Sequence, residues 1–389
     1  MAEKVTKIIN GRVVGSDIAP RAVYFRGGRI VKAGSTVMVD DTIDAGGCFV
    51  APGFIDIHCH GGGDADFMDG TPEAFLAAAR MHGIHGTTTL FPTATSGSFE
   101  EMSGLFAAYE EALKLNLDGA DFAGIHLEGP YFAMSQKGAQ DPKYVRPPEP
   151  SEYRKLLALS GKIVRWSAAP ELEGALDFAR ELRERGILAA SGHTDCLCEE
   201  AIAAFEAGFT HVTHLYSAMS SVHRRGVFRH AGLVEAAYLL DDMTVEIIAD
   251  GIHLPPPLLK LIYKLKGPDR IALITDAMRG AGMPEGESVI GSRKNGLPVI
   301  IEDGVAKLTD KTAFAGSVAT TDRLVRNMVQ LAEVPLTDAV KMATATPAAI
   351  MKLSDRGTLD AGKRADIVIF DDNITMKRVI VGGRTIFEA

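Results

Sequence analysis

Four cysteines in 389 residues (Cys48, Cys59, Cys196 and Cys198) are too few to staple a chain of this size. Cys196 and Cys198 stand two residues apart, a poor geometry for bridging, and no second Cys pair completes a zinc ribbon. The expectation is reduced thiols in a cytoplasmic protein. No apolar run is long enough to cross a bilayer. The N-terminal MAEKVTKIINGRVVG alternates charged with apolar residues and lacks the apolar run of a signal peptide. Lys/Arg runs are also missing from a chain of formal charge −9 and pI near 5.7. That excludes the usual electrostatic footprint of a nucleic-acid binder, although local Arg, Lys or amide groups still suffice to hold a phosphorylated small molecule. Repeats, low-complexity tracts and linkers are absent as well.

What is present is enough apolar surface for a large core, with 46% hydrophobic residues, and 40 glycines suited to many tight strand–helix turns. The first fifty residues read as short strands in KVTKIINGRVVG, RAVYFRGGRIVKAG and GGCFVAPGFID, separated by glycine turns. RADIVIFDD and MKRVIVGGRTIFEA return to that texture at the C-terminus. We therefore expect one small split β domain from 1–52 and 355–389, a β-sandwich, around a catalytic unit at 53–354. The middle alternates helix with strand, from TPEAFLAAARMHG and GTTTLFPT to PPLLKLIYKLKG and RIALITDAM, with TDRLVRNMVQLA and LTDAVKMATAT closing the series. About eight such units predict an α/β fold of the (β/α)8 barrel type. The segment from 279 to 312 departs from the alternation and carries a hairpin pattern, LPVIIEDGVAKLT.

Chemistry-bearing residues fall at strand ends, where a barrel gathers its loops into one mouth. His58 and His60 follow an apolar stretch at i and i+2, so alternation aims both imidazoles to one side, and three glycines follow them. Glu128 in GIHLEGPYF, His193 in SGHTD and His214 in VTHLYSAM add a carboxylate and two imidazoles. One carboxylate with two histidines leaves an open position for water, the pattern of a catalytic zinc-type site. Asp276 in ALITDAM is the best general base, and His253 in IIADGIHL suits orienting or polarising a substrate carbonyl. His82, His85 and His126 fit packing or surface roles. His211 precedes His214 by three, an odd offset that strand alternation turns to the opposite face, and Cys59 should likewise face away from His58 and His60.

These motifs resemble the N-acetylglucosamine-6-phosphate deacetylases of the amidohydrolase superfamily over essentially the full length. The stretches that carry the resemblance are PGFIDIHCHG, HLEGPYF, KGAQDPKYVRP, SGHTD, THLYSAM, IIADGIHL, LITDAM and GTLDAGKRADIVIF. The resemblance implies a cytoplasmic hydrolase of linear amide bonds and a homodimer. It implies a main divalent ion, zinc or another such as iron, on Glu128, His193 and His214. A second ion on His58 and His60 is implied for members that bind two. Asp276 would be the acid/base and His253 the carbonyl contact. Ala139, Gln140, Ser217, Ala218, Asp250, Phe314, Ala315 and Gly316 match substrate-contact positions. Asp276 would take a proton from the attacking water and hand it to the leaving amine.

Two departures stand out. Ser217-Ala218-Met219 replaces the common Asn-Ala-Met, which removes an amide from the sugar pocket. HRRGVFRHAG replaces a shorter Arg-Glu-Pro-Gly whose Arg grips the substrate phosphate, often from the neighbouring subunit. Arg225 fits that position counted from one side and Arg229 from the other, and a guanidinium at either can pair two phosphate oxygens. Alternatives are N-acetylgalactosamine 6-phosphate or another N-acyl amine as substrate, a cyclic-amide hydrolase, and a catalytically silent binding protein.

Overall fold

The computed structural model describes residues 3–32 and 38–389. The end of the expected strand stretch at 21–34 lies outside them. Eight parallel strands ring the centre of a nine-stranded sheet, whose ninth is the short Asp121–Phe122 beside β2: β1 Phe54–Cys59, β2 Thr87–Ala94, β3 Ile125–Glu128, β4 Ile163–Ala168, β5 Leu188–Ser191, β6 Phe209–Val212, β7 Thr244–Ile247 and β8 Ile271–Leu273. They lie side by side in chain order. The ring nearly closes where the chain beyond β8 meets β1. There the Asp276 N–H donates to the His58 carbonyl at 2.9 Å, and Cys59 bridges Ala277. The helices between successive strands are α1 Pro72–Ile84, α2 Phe99–Leu115, α3 Pro150–Leu159, α4 Ala175–Glu184, α5 Cys198–Ala207, α6 Leu233–Leu239 and α7 Pro256–Lys266, with α8 Thr321–Gln330 after β8. This is the (β/α)8 barrel expected from the alternation.

Local sequence accounts for the units. Every residue of β2, TTTLFPTA, is buried, because a parallel strand is covered by helices on one face and by the barrel interior on the other. Helix α4 buries Ala175, Phe178, Ala179 and Leu182, a stripe at i, i+3, i+4 and i+7. Helix α2 is absent from the alternation read above, yet its start is marked by a reciprocal cap between Ser98 and Glu101. No helix among the described residues is long and apolar enough to cross a membrane.

Both chain ends share one six-stranded sheet, in which Phe49–Pro52 runs antiparallel to Ile367–Phe370. A four-stranded sheet from residues 5–44 packs against it around Ile8, Val13, Phe25, Ile43, Val50, Ile367 and Ile369. The excursion after β8 forms a three-stranded sheet, Gly286–Ile290, Leu297–Glu302 and Val305–Leu308. Its expected hairpin turns at Asp303 and Gly304, φ 57° and 72°, the paired left-handed residues of a type I′ turn. This sheet stands over the barrel mouth and helps wall the cavity described next.

Candidate metal centre and active site

Glu128 ends β3 and is nearly fully buried. Its Oε1 lies 3.0 Å from His214 Nε2, 3.3 Å from His193 Nε2 and 3.4 Å from His58 Nε2, while Oε2 lies 3.3 Å from His60 Nε2. Two donor sets therefore share one carboxylate: His58, His60 and Glu128, and Glu128, His193 and His214. Asp276 Oδ1 sits 3.2 Å from His60 Nε2 and 3.4 Å from His58 Nε2. The loops reach this point by leaving strand geometry. His193, His214 and Asp276 have φ of 49°, 29° and 48°, the left-handed region that non-glycine residues rarely occupy and that concentrates at functional sites.

Hydrogen bonding tests whether these residues fit a metal. His193 Nδ1 lies 2.8 Å from the Gln136 carbonyl, and His58 Nδ1 lies 2.7 Å from Glu246 Oε1. Both oxygens are acceptors, so each Nδ1 carries the proton and each Nε2 presents a lone pair. Those lone pairs point at their neighbours: His58 Nε2 is 3.3 Å from His60 Nε2, and His193 Nε2 is 3.2 Å from His214 Nε2. Clustered lone pairs around carboxylates are satisfied by a cation, and imidazole with carboxylate is the donor chemistry of zinc and iron sites. Electrostatics agrees. Burial disfavours charge on His60, but the Asp276 and Glu128 carboxylates hold its pKa well above the ordinary range. Burial also opposes ionisation of Glu128, and His58, His193, His214 and His60 hold it well below the usual carboxylate range.

A cavity of about 510 Å³ opens over this cluster. Ala139, Gln140, Ser217, Ala218, His253, Phe314 and Gly316 line it together with His60, Glu128, His193, His214 and Asp276. Lys137 is the one Lys or Arg side chain among the described residues lining it. Ala315, Asp250, Arg225 and Arg229 do not line it. Ala315 packs in a core with Met278 and Ile290. Asp250 sits behind His253, its Oδ2 accepting from Nδ1 at 2.8 Å, which fixes the orientation of the ring on the cavity wall. Gln140 is committed to the cluster, donating to Glu128 Oε2 at 2.8 Å and accepting from the Ser96 N–H at 2.8 Å. Arg225 and Arg229 are exposed on a hairpin of His223–Arg225 and Phe228–His230 that turns at Gly226.

One alternation argument fails. Strand β6 ends at Val212, and the left-handed turn at His214 resets the side-chain direction. His211 thus points inward too, one layer deeper, with Nε2 3.3 Å from Glu246 Oε2. Cys59 does face away, its Sγ 3.1 Å from His82 Nε2 on the α1 side. The buried Arg165 and Glu246 beneath the site escaped the sequence reading. Their signal is a charge in mid-strand, in IVRWSA and TVEI, which a barrel interior can accept only as a pair.

The amidohydrolase family model matches residues 49–386. The chain belongs to the amidohydrolase family. It is 34% identical to an N-acetylglucosamine-6-phosphate deacetylase of Lysinibacillus sphaericus, over 93% of this chain and 92% of that one. It is 33% identical to an N-acetylgalactosamine-6-phosphate deacetylase of Escherichia coli O157:H7, over 86% and 87%. Among solved structures, a mutant N-acetyl-D-glucosamine-6-phosphate deacetylase of Mycobacterium smegmatis in complex with N-acetyl-D-glucosamine-6-phosphate superposes with a TM-score of 0.89. The identity is 30%, covering 99% of this chain and 100% of that chain. This amidohydrolase is thus a metal-dependent hydrolase whose donor sets meet at Glu128.

Proposed function

We propose that the chain removes the acetyl group from N-acetyl-D-glucosamine 6-phosphate, releasing acetate and D-glucosamine 6-phosphate. The observation that carries this reading is the convergence of Glu128, Asp276 and His253 on one cavity in a relative of amino-sugar-phosphate deacetylases. Glu128, His193 and His214 would hold one divalent ion, zinc or iron, and His58, His60 and Glu128 a second. A bound ion supplies Lewis acidity toward water and the amide carbonyl. The chain's own groups do the rest. Asp276 accepts the proton of the attacking water, the bond from that oxygen to the carbonyl carbon forms, and the C–N bond then breaks as Asp276 returns the proton to the nitrogen. His253, its ring oriented by Asp250, faces the carbonyl oxygen and polarises it as negative charge builds there.

Lys137 on the wall supports an anionic substrate, and Arg224, Arg225 and Arg229 crowd one exposed hairpin. Because that hairpin stands clear of its own cavity, we assign Arg225 or Arg229 to the phosphate of a substrate in a partner subunit, within a cytoplasmic homodimer. Arg225→Ala and Arg229→Ala separate the two. Losing one charge-assisted contact of about 1.5–3 kcal/mol should raise KM by roughly 10- to 150-fold in one variant only, with kcat little changed. A wild-type KM in both variants would remove the hairpin from phosphate recognition.

A second reading, N-acetylgalactosamine 6-phosphate, is favoured by Ser217 on the sugar-facing wall and by the similarity to the Escherichia coli enzyme. One assay tests both: acetate release from each sugar phosphate and from unphosphorylated N-acetylglucosamine, before and after chelation. We expect turnover of N-acetylglucosamine 6-phosphate that chelation abolishes and divalent metal restores. Preference for the galactose epimer would transfer the assignment to that sugar, and turnover of neither phosphate would overturn the substrate reading.

A further inference from the structure

Beneath the cluster, one carboxylate touches both halves of it. Glu246 Oε1 accepts from His58 Nδ1 at 2.7 Å and from the backbone N–H of His214 at 3.1 Å. These two residues belong to different donor sets. Its other oxygen, Oε2, accepts from Arg165 at 2.6 Å and lies 3.3 Å from His211 Nε2. Arg165 is in turn tied to the Ile57 carbonyl at 3.1 Å and to the Thr213 hydroxyl at 3.2 Å, each one residue before a donor histidine. His211 Nδ1 is anchored by Thr244 Oγ1 at 2.7 Å. Glu246, Arg165 and His211 are all fully buried.

We infer that Glu246 is a positioning residue that couples the two ligand sets, holding the His58 ring with Nε2 toward the cluster while pinning the left-handed turn at His214. Three features favour this over a purely structural ion pair. A structural pair needs only Arg165 and Glu246, whereas here the oxygen not facing Arg165 is spent on the two ligand-bearing residues. The bond to Nδ1 selects the one tautomer whose Nε2 can act as a donor. The His214 turn, at φ 29°, is a strained conformation that persists only where neighbours over-determine it, and the Glu246 bond to its N–H is one such constraint. Arg165 neutralises the carboxylate and His211 helps orient it, so that it stays ionised in a dry interior.

The inference rests on the metal reading but not on the identity of the sugar. The test is Co2+ binding to the chelated full-length protein, read by competition with a chromophoric chelator and by the visible cobalt spectrum. Glu246→Met alone strands the Arg165 charge, so the informative variant is the double change Arg165→Met with Glu246→Met, which removes both charges at similar volume. Its fold is checked by circular dichroism and melting. We expect a folded protein that binds Co2+ about 10- to 100-fold more weakly, with an altered spectrum, the usual consequence of losing a group that orients a ligand. Wild-type affinity and spectrum in the double variant would overturn the inference. So would a wild-type protein that takes up no Co2+, which would also remove the metal reading. Histidine-selective 15N NMR of the wild-type apoprotein gives an independent measure. A His58 ring protonated at Nε2 would refute the proposed tautomer however the variants behave.

Discussion

Replacing Asp276 by Asn is expected to lower kcat for acetate release by about 10²- to 10⁴-fold, the range for removing a general acid/base, or roughly 3–5 kcal/mol of barrier. The substitution is a clean one. Asp276 holds a left-handed backbone at φ 48°, which asparagine tolerates, and its N–H and C=O bond to His58 and Ser317 through the main chain. Its Oδ1 faces His58 and His60 rather than His193 and His214. Metal bound at the Glu128, His193 and His214 end should therefore survive. Metal analysis alongside acetate release separates the two effects. An Asn variant that keeps its metal and its turnover would remove Asp276 from the proton-transfer role.

The largest stability loss outside the charged interior is expected at Trp166. It is the chain's one tryptophan, fully buried on β4, stacked on Tyr131 at 5.7 Å and edge-on to Phe178 at 5.1 Å. Its Nε1–H donates to the Gly129 carbonyl at 2.8 Å, immediately after Glu128. Trp166→Ala leaves a cavity costing about 3–5 kcal/mol and removes the partner of a buried carbonyl, worth about 1 kcal/mol more. Urea unfolding followed by far-ultraviolet circular dichroism reads this, since the variant has no indole fluorescence. Because the lost bond borders Glu128, the carboxylate shared by both donor sets, Co2+ affinity should also fall in the variant. A midpoint matching wild type would mean that Tyr131 and Phe178 collapse into the space.

Much of this site is legible in the sequence. His58 and His60 sit at i and i+2 on a strand, and a strand delivers such a pair to one face whatever surrounds it. Glu128 and Asp276 fall at strand ends, where a barrel gathers its polar side chains, and Glu128 gains its meaning beside His193 and His214. Less legible was everything that depends on where a strand stops. His211 and His214 look like opposite faces in THVTHL, but the strand ends at Val212 and the turn at His214 redirects the chain, so both point inward. Gln140 reads as a substrate contact from its place in KGAQ, yet its amide is already engaged by Glu128 and Ser96 from other segments. Nor does sequence place Arg225 and Arg229 outside the cavity, since that follows from how the hairpin leaves the barrel mouth.

Local periodicity and turn residues act over a few residues, and they determine most of the alternation of helix and strand, the barrel and the set of polar strand ends. The sharing of Glu128 between two donor sets, the tautomer of His58 and the burial of Arg165 with Glu246 were decided only by tertiary structure. Each is a contact between strands far apart in the chain. Such contacts exist only once the barrel has closed and excluded water from its interior, where an unpaired charge or lone pair must find a partner.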